Sequence, residues 1–116
     1  MGLKFVLGLV GVLAVGLFFF FGRSGGGSSR PDARRLVDEG ALLLDVRTRE
    51  EFAAGHLPGA INVPVQELSA RIGEVGPKDR PIVVYCRSGA RSGSAARMLG
   101  GAGFSVIHDL GPMSRW

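Results

Sequence analysis

Apolar and polar positions divide this chain into one long apolar run and a series of short alternating segments. Residues 5–21 carry no charged or polar side chain. As a helix, 17 residues would span about 25 Å, near the lower limit for crossing a bilayer. Residues 22–30 are almost entirely Gly, Ser and Arg, a composition that gives a flexible tether without a packing face. From residue 31 the pattern becomes that of a folded domain. Ala33, Leu36 and Val37 suit a short helix over 31–39, with Pro31 in its first turn and Gly40 able to end it. Ala41-Leu42-Leu43-Leu44 is a continuous apolar run, as expected of a strand buried on both faces of a parallel sheet.

Thr48-Arg49-Glu50-Glu51 fits a capping box, with Thr48 as N-cap and Glu51 reaching back. That helix runs to Ala54 and stops at Gly55. His56-Leu57-Pro58-Gly59 reads as a turn, and Ala60 to Val63 as a short strand stopped by Pro64. Val65, Leu68 and Ile72 stand at helical spacing. After a polar connection over 73–80, residues 81–85 form a strand and 91–99 a helix that Gly100-Gly101-Ala102-Gly103 ends. Residues 104–107 read as the last strand, and 108–116 as a closing turn with Trp116 packed on the domain. Strands alternating with helices predict an α/β fold with a largely parallel sheet. Ligands in such sheets gather beyond the carboxyl ends of strands, where Asp45 and Cys86 both fall.

The formal net charge of +4 over 116 residues looks like a hint of nucleic-acid binding until it is divided. Residues 1–30 hold Lys4, Arg23 and Arg30 with no acid, and the remainder holds 11 basic and 10 acidic side chains. The excess therefore flanks the apolar run, as expected of a membrane insert, and no basic face for nucleic acid is visible. Residues 1–22 accordingly read as a transmembrane anchor, 23–30 as a linker and 31–116 as the folded domain. A cleaved signal peptide would end in small residues, whereas this run ends in Phe18-Phe19-Phe20-Phe21. A short tail before the run favours the extracytoplasmic side for the domain, against the cations Arg23, Arg30, Arg34 and Arg35 that follow it.

Chemistry concentrates in Tyr85-Cys86-Arg87-Ser88-Gly89-Ala90-Arg91-Ser92, which contains the single cysteine. One cysteine excludes an internal disulfide. A thiol becomes a nucleophile as its thiolate, and three features here favour the anion: a helix N-terminus, two nearby guanidiniums (Arg87 and Arg91), and a small-residue loop that lets several N–H groups converge. His56 and His108 are read as structural, so a Cys–His protease arrangement is weak. One Cys and two distant His lack metal-ligand spacing, and no cofactor is called for. Asp45 is expected to hold the site through bonds to backbone or arginine groups, with Arg47 and Glu50 as candidate members of the same network.

Four motifs in order resemble a single-domain rhodanese over residues 31–116: Leu44 to Phe52, Gly55 to Pro64, Val83 to Ser92, and Gly103-Phe104 with Leu110-Gly111-Pro112-Met113 and Trp116. The resemblance implies a rhodanese-like fold, a parallel sheet of about five strands between helices. It also implies sulfur transfer. Cys86 would take the sulfane sulfur of a small anionic donor such as thiosulfate and hold it as a persulfide. Cyanide, a thiol or a protein acceptor would then remove it. The backbone amides of Arg87, Ser88, Gly89, Ala90 and Arg91 would stabilise the charged sulfur, and the Arg87 and Arg91 side chains would attract the donor. Phosphatases and arsenate reductases related to this fold place five residues between Cys and Arg, whereas Cys86 and Arg91 have four between them. The shorter loop favours sulfur over phosphate. A non-enzymatic persulfide carrier or binding module is the alternative. Pro112 departs from the family, which usually has a second Gly there.

Overall fold

The computed structural model describes residues 30–116; the apolar run and most of the tether lie outside the described residues. Among the described residues no helix is long and apolar enough to cross a membrane. The chain runs α1 (Arg30–Asp38), β1 (Leu42–Asp45), α2 (Arg49–Ala54), β2 (Ile61–Asn62), α3 (Val65–Leu68), a 3-10 turn (Ile72–Glu74), β3 (Ile82–Cys86), α4 (Ala90–Gly101), β4 (Ile107–Pro112) and a second 3-10 turn (Met113–Arg115). All strand pairs are parallel, in the order β2-β1-β3-β4. The sheet of about five strands implied by the family resemblance is therefore corrected to four among the described residues. The reason lies in the pattern itself: only four segments supply short, extended apolar runs, and Ala33, Leu36 and Val37 commit the segment before β1 to a helix.

Alternation along the central strands builds two cores. Leu42, Leu44, Ile82 and Val84 face one side and meet Leu68, Ala95, Leu99 and Phe104. Leu43, Val83 and Tyr85 face the other side and meet Ala33, Leu57 and Leu110, with Trp116 against them. Successive side chains of a strand point to opposite faces, so a strand covered on both sides must be apolar throughout. Each fully buried Leu, Ile or Val contributes about 1.5–3 kcal/mol.

Three element boundaries differ from expectation. The last strand begins later than residue 104, because the Phe104 and Ser105 amides donate to the Leu99 and Lys78 carbonyls instead of to β3. It then continues through Gly111 and Pro112, which read as turn residues. A bulge allows this: Val84 pairs with Asp109 and Tyr85 with Gly111, so Leu110 is the extra residue. Gly111 has φ 81° and donates to the Asp109 carboxylate at 3.0 Å. Pro112, lacking a donor, sits at the end of an edge strand where none is needed. The helix expected over 91–99 starts at Ala90 and runs on to Gly101. Within the expected terminating segment, Gly103 has φ 101° just past the helix. The helix expected from Val65 to Ile72 is a single turn, since the Arg71 amide is shared between the Glu67 and Leu68 carbonyls at 3.0 and 3.1 Å and the chain tightens into a 3-10 turn.

One buried polar network ties these elements together. Asp45, at the end of β1, is fully buried and stands beside Tyr85 of β3. Its Oδ1 accepts from the Arg47 amide at 2.8 Å, and its Oδ2 from Arg47 Nη2 and from the Tyr85 hydroxyl, each at 2.7 Å. Arg47 Nε bridges both oxygens at 3.1 Å. The other end of the network reaches the loop after α2, where Arg47 Nη2 donates to the Gly55 carbonyl at 2.7 Å and the Leu57 amide donates to the Tyr85 oxygen at 3.1 Å. Asn62 of β2 donates to the Asp45 and Arg47 carbonyls, both at 2.9 Å. Arg47 and Asp45 thus form a closed hydrogen-bonded unit. Glu50 is exposed and outside it.

Removing one partner of a buried pair leaves an uncompensated charge, which costs about 3–5 kcal/mol. Asp45→Asn is therefore expected to lower the urea midpoint strongly. Tyr85→Phe, which leaves the Leu57 amide and one carboxylate lone pair unmatched, should cost about 1–3 kcal/mol. Equilibrium urea unfolding checks both; a midpoint for Asp45→Asn at or above that of Tyr85→Phe would contradict the ranking.

Candidate functional site

Cys86 is the last residue of β3, and its neighbour across the ladder is Pro112 of β4. The chain then turns through Arg87 and Ser88 to Gly89, which is the N-cap of α4 with φ 105°. A left-handed backbone of this kind strains any residue with a Cβ. It bends the strand directly into the helix, so the first-turn amides of α4 point back over the strand end. Those amides have no partner within the helix. The sulfur supplies one: Cys86 Sγ accepts from the Gly89 amide at 2.9 Å and from the Ser92 amide at 3.3 Å.

Cys86 is fully buried. Burial alone pushes its thiol up, because a desolvated thiolate is costly. Hydrogen bonds from the Ser92 hydroxyl and from the Ser92, Gly89 and Ser88 amides outweigh burial and hold the thiol below its ordinary value. The Ser92 hydroxyl also lies 3.0 Å from the Gly89 carbonyl. It has one proton to give, and a charged sulfur is the stronger acceptor. Its donation therefore follows the charge on the sulfur.

The residues predicted from sequence divide into three groups. Ser88 and Gly89 deliver amides to the sulfur. Arg87 is exposed and makes no hydrogen bond or ion pair among the described residues, so its cation is free for an incoming anion. Arg91 is committed elsewhere. Its Nη1 and Nη2 hold Glu51 Oε1 and Oε2 at 2.7 and 3.1 Å. Arg91, expected to help attract the donor, is in a bidentate contact with Glu51 in this structure. Ala90 opens α4 and, with Arg91, Ser94, Met98, Val65 and Gln66, lines a surface groove of about 370 Å³ between α3 and α4.

Two contributors were missed. Ser92 lies just past the expected loop, yet it is the third residue of α4, and a small hydroxyl residue one turn into a helix is the available sign of a donor there. Glu51 was assigned to the capping box alone. It does close that box, accepting from the Thr48 amide at 2.9 Å while Thr48 Oγ1 accepts from the Glu51 amide at 3.1 Å. It also reaches α4, 40 residues away. Arg91 and then the Thr48 amide hold its carboxyl down at about 2. Of the two histidines, His56 stacks on Phe52 at 3.6 Å and bonds its carbonyl, while His108 lies on β4 opposite Val83. Neither is at the loop.

A family model described as Rhodanese-like domain matches residues 29–116. A protein named Sulfurtransferase from Allochromatium vinosum is 43% identical over 79 residues, covering 67% of this chain and 73% of that one. Thiosulfate sulfurtransferase PspE of Escherichia coli is 36% identical over 69 residues, covering 59% of this chain and 66% of that one. Other relatives are longer, and the chain spans 60% of one and 40% of another. The human single-domain sulfurtransferase TSTD1 superposes with a TM-score of 0.67 at 29% identity, covering 78% of this chain and 90% of that one.

Removing the Ser92 hydroxyl withdraws one of the bonds that lower the thiol. Ser92→Ala is therefore expected to move the midpoint of Cys86 alkylation to higher pH while the amide contacts persist. Iodoacetamide rates measured across pH on both proteins decide it, and a midpoint that stays or falls speaks against the hydroxyl's part.

Proposed function

Because the chain belongs to the rhodanese-like domain family, we propose that it is a sulfurtransferase that carries sulfane sulfur as a persulfide on Cys86. The observation that carries this reading is the sulfur at the end of β3, ringed by neutral amide donors from a loop of four residues between Cys86 and Arg91. The Cys86 thiolate attacks the outer sulfur of a small anionic donor such as thiosulfate. A bond forms between Sγ and that sulfur, the donor's S–S bond breaks, and its electron pair leaves with sulfite. The product is a cysteine persulfide anion. Cyanide or a thiolate then attacks the outer sulfur, forming thiocyanate or a new persulfide and returning the Cys86 thiolate. No net oxidant or reductant is required, and the two half-reactions alternate as covalent catalysis.

The same cradle serves both states. Amides aimed at the sulfur favour the anion whether it is the thiolate or the persulfide. Arg87, exposed beside the loop, supplies attraction for the dianionic donor. The groove flanked by Ala90 and Arg91 offers room for an acceptor larger than cyanide. A phosphate reading is less well supported, because the loop has the shorter spacing and Arg91 is already held by Glu51.

Exposure to thiosulfate is expected to add one sulfur to Cys86 by intact mass, and cyanide to remove it with formation of thiocyanate. Cys86→Ser should show neither. Equal thiocyanate production by the two proteins sinks the reading, and a persulfide that forms without turnover on cyanide or small thiols identifies a carrier instead.

We further propose that residues 5–21 tether the domain to a membrane, supported by their unbroken apolar character and flanking cations. The full chain is expected to stay with membranes through alkaline carbonate extraction; release into the supernatant overturns this.

A further inference from the structure

The bidentate contact between Glu51 and Arg91 joins two helix starts that meet at the sulfur loop. Glu51 lies in the first turn of α2, and its Oε1 is already fixed by the Thr48 amide. Arg91 lies in the first turn of α4, one residue before Ser92, whose amide touches the sulfur. Both side chains are partly buried, with 24% and 29% exposure, so the pair is shielded more than an ordinary surface pair. Arg91 is also close enough to Cys86 to feel its charge.

We propose that Glu51 is a positioning residue of the sulfur site: it holds the Arg91 guanidinium away from the sulfur, so that loop amides and not a side-chain cation carry the sulfur's negative charge. The capping box makes this possible, since a carboxylate pinned at one oxygen presents the other in a fixed direction. The consequence is chemical. A cation on the sulfur would stabilise the Cys86 thiolate, making it a weaker nucleophile towards the donor and a better leaving group towards the acceptor. Amides stabilise it less and leave it reactive.

The surrounding charges fit this division. Arg47, at the end of β1, repels Arg91 and is itself held by Asp45. Glu67 of α3 is held by Arg49 and Arg71 and is not available to Arg91. Glu50 of α2 is exposed, as is Arg87 of the loop. Cys86 at the end of β3 is an acceptor whose charge Arg91 feels. Glu51 competes with it for the Arg91 charge.

The kinetic part rests on the sulfurtransferase reading, while the thiol titration does not. The test is a double-mutant cycle on the full chain, following thiolate formation by ultraviolet absorbance across pH. Glu51→Gln keeps the capping box, since Gln serves at that position, but frees Arg91. It is expected to shift the Cys86 midpoint down by about one unit, giving about tenfold more thiolate at a fixed pH below the midpoint. In the Arg91→Gln background the same change should move the midpoint far less. Arg91→Gln alone should move it up, which gives a reading even if Glu51→Gln does not fold. Glu51→Asp, which keeps the charge, should restore the wild-type midpoint.

In thiosulfate:cyanide turnover, Glu51→Gln is expected to lower KM for thiosulfate and to speed the cyanide step about threefold, because a stabilised Cys86 thiolate leaves faster. An unchanged midpoint, or an equal shift with and without Arg91, overturns the proposal. Thiol coupling without any sulfur transfer overturns the sulfurtransferase reading and leaves the positioning role standing. Sulfur transfer without thiol coupling does the reverse.

Discussion

A fully buried carboxylate is the constraint on which this fold depends. Asp45 can remain ionised in the interior only if its lone pairs are filled, and Arg47, its amide and Tyr85 fill them. The donors come from two stretches of chain. Arg47 is the second residue after β1, Tyr85 belongs to β3, and the network closes on Gly55 and Leu57 beyond α2. The charge therefore does more than cap a strand. It ties β1 to β3 and anchors the turn after α2, and its β3 partner Tyr85 stands one residue before the cysteine. A buried ion pair is weak evidence for added stability, since an apolar substitute can serve equally well. Here it serves placement, because the segment after β1 and strand β3 must meet to satisfy one group, and the turn after α2 is bonded to both of its partners.

The desolvation that makes Asp45 demanding acts on Cys86 as well, with a different outcome. Asp45 is matched by a cation, and the sulfur by neutral N–H groups at 2.9 and 3.3 Å. The distinction suits the chemistry proposed for each. A structural charge gains from the strongest partner available. A sulfur that must accept an atom and release it gains from partners that stabilise its charge without fixing it. The Arg91 guanidinium, which could have been such a partner, is turned to Glu51.

Most of the fold was legible because it rests on local rules. The capping box at Thr48 and Glu51, the apolar run at 42–44 and the cysteine at the end of an apolar strand are each set by neighbours within a few positions. The errors arose where distant partners decide. Phe104 has the apolar character of a strand residue, but its amide is taken by Leu99 and its ring by the core. Gly111 and Pro112 look like a stop, and only the bulge at Leu110 makes them strand. For the site, the cysteine and the loop glycine carried their own signals. The Glu51 contact with Arg91 spans 40 residues, and no spacing in the sequence announces it.

Pro112 shows how a departure from family expectation can be consistent with an intact site. It pairs with Cys86 at the end of β4, and its Cδ lies 3.5 Å from where a Cβ on Gly89 would sit. That is ordinary contact distance, so space alone would admit a small side chain at Gly89. The φ of 105° would not. The loop is thus limited by backbone conformation rather than crowding, and Pro112 supplies a rigid wall beside it at ordinary contact distance.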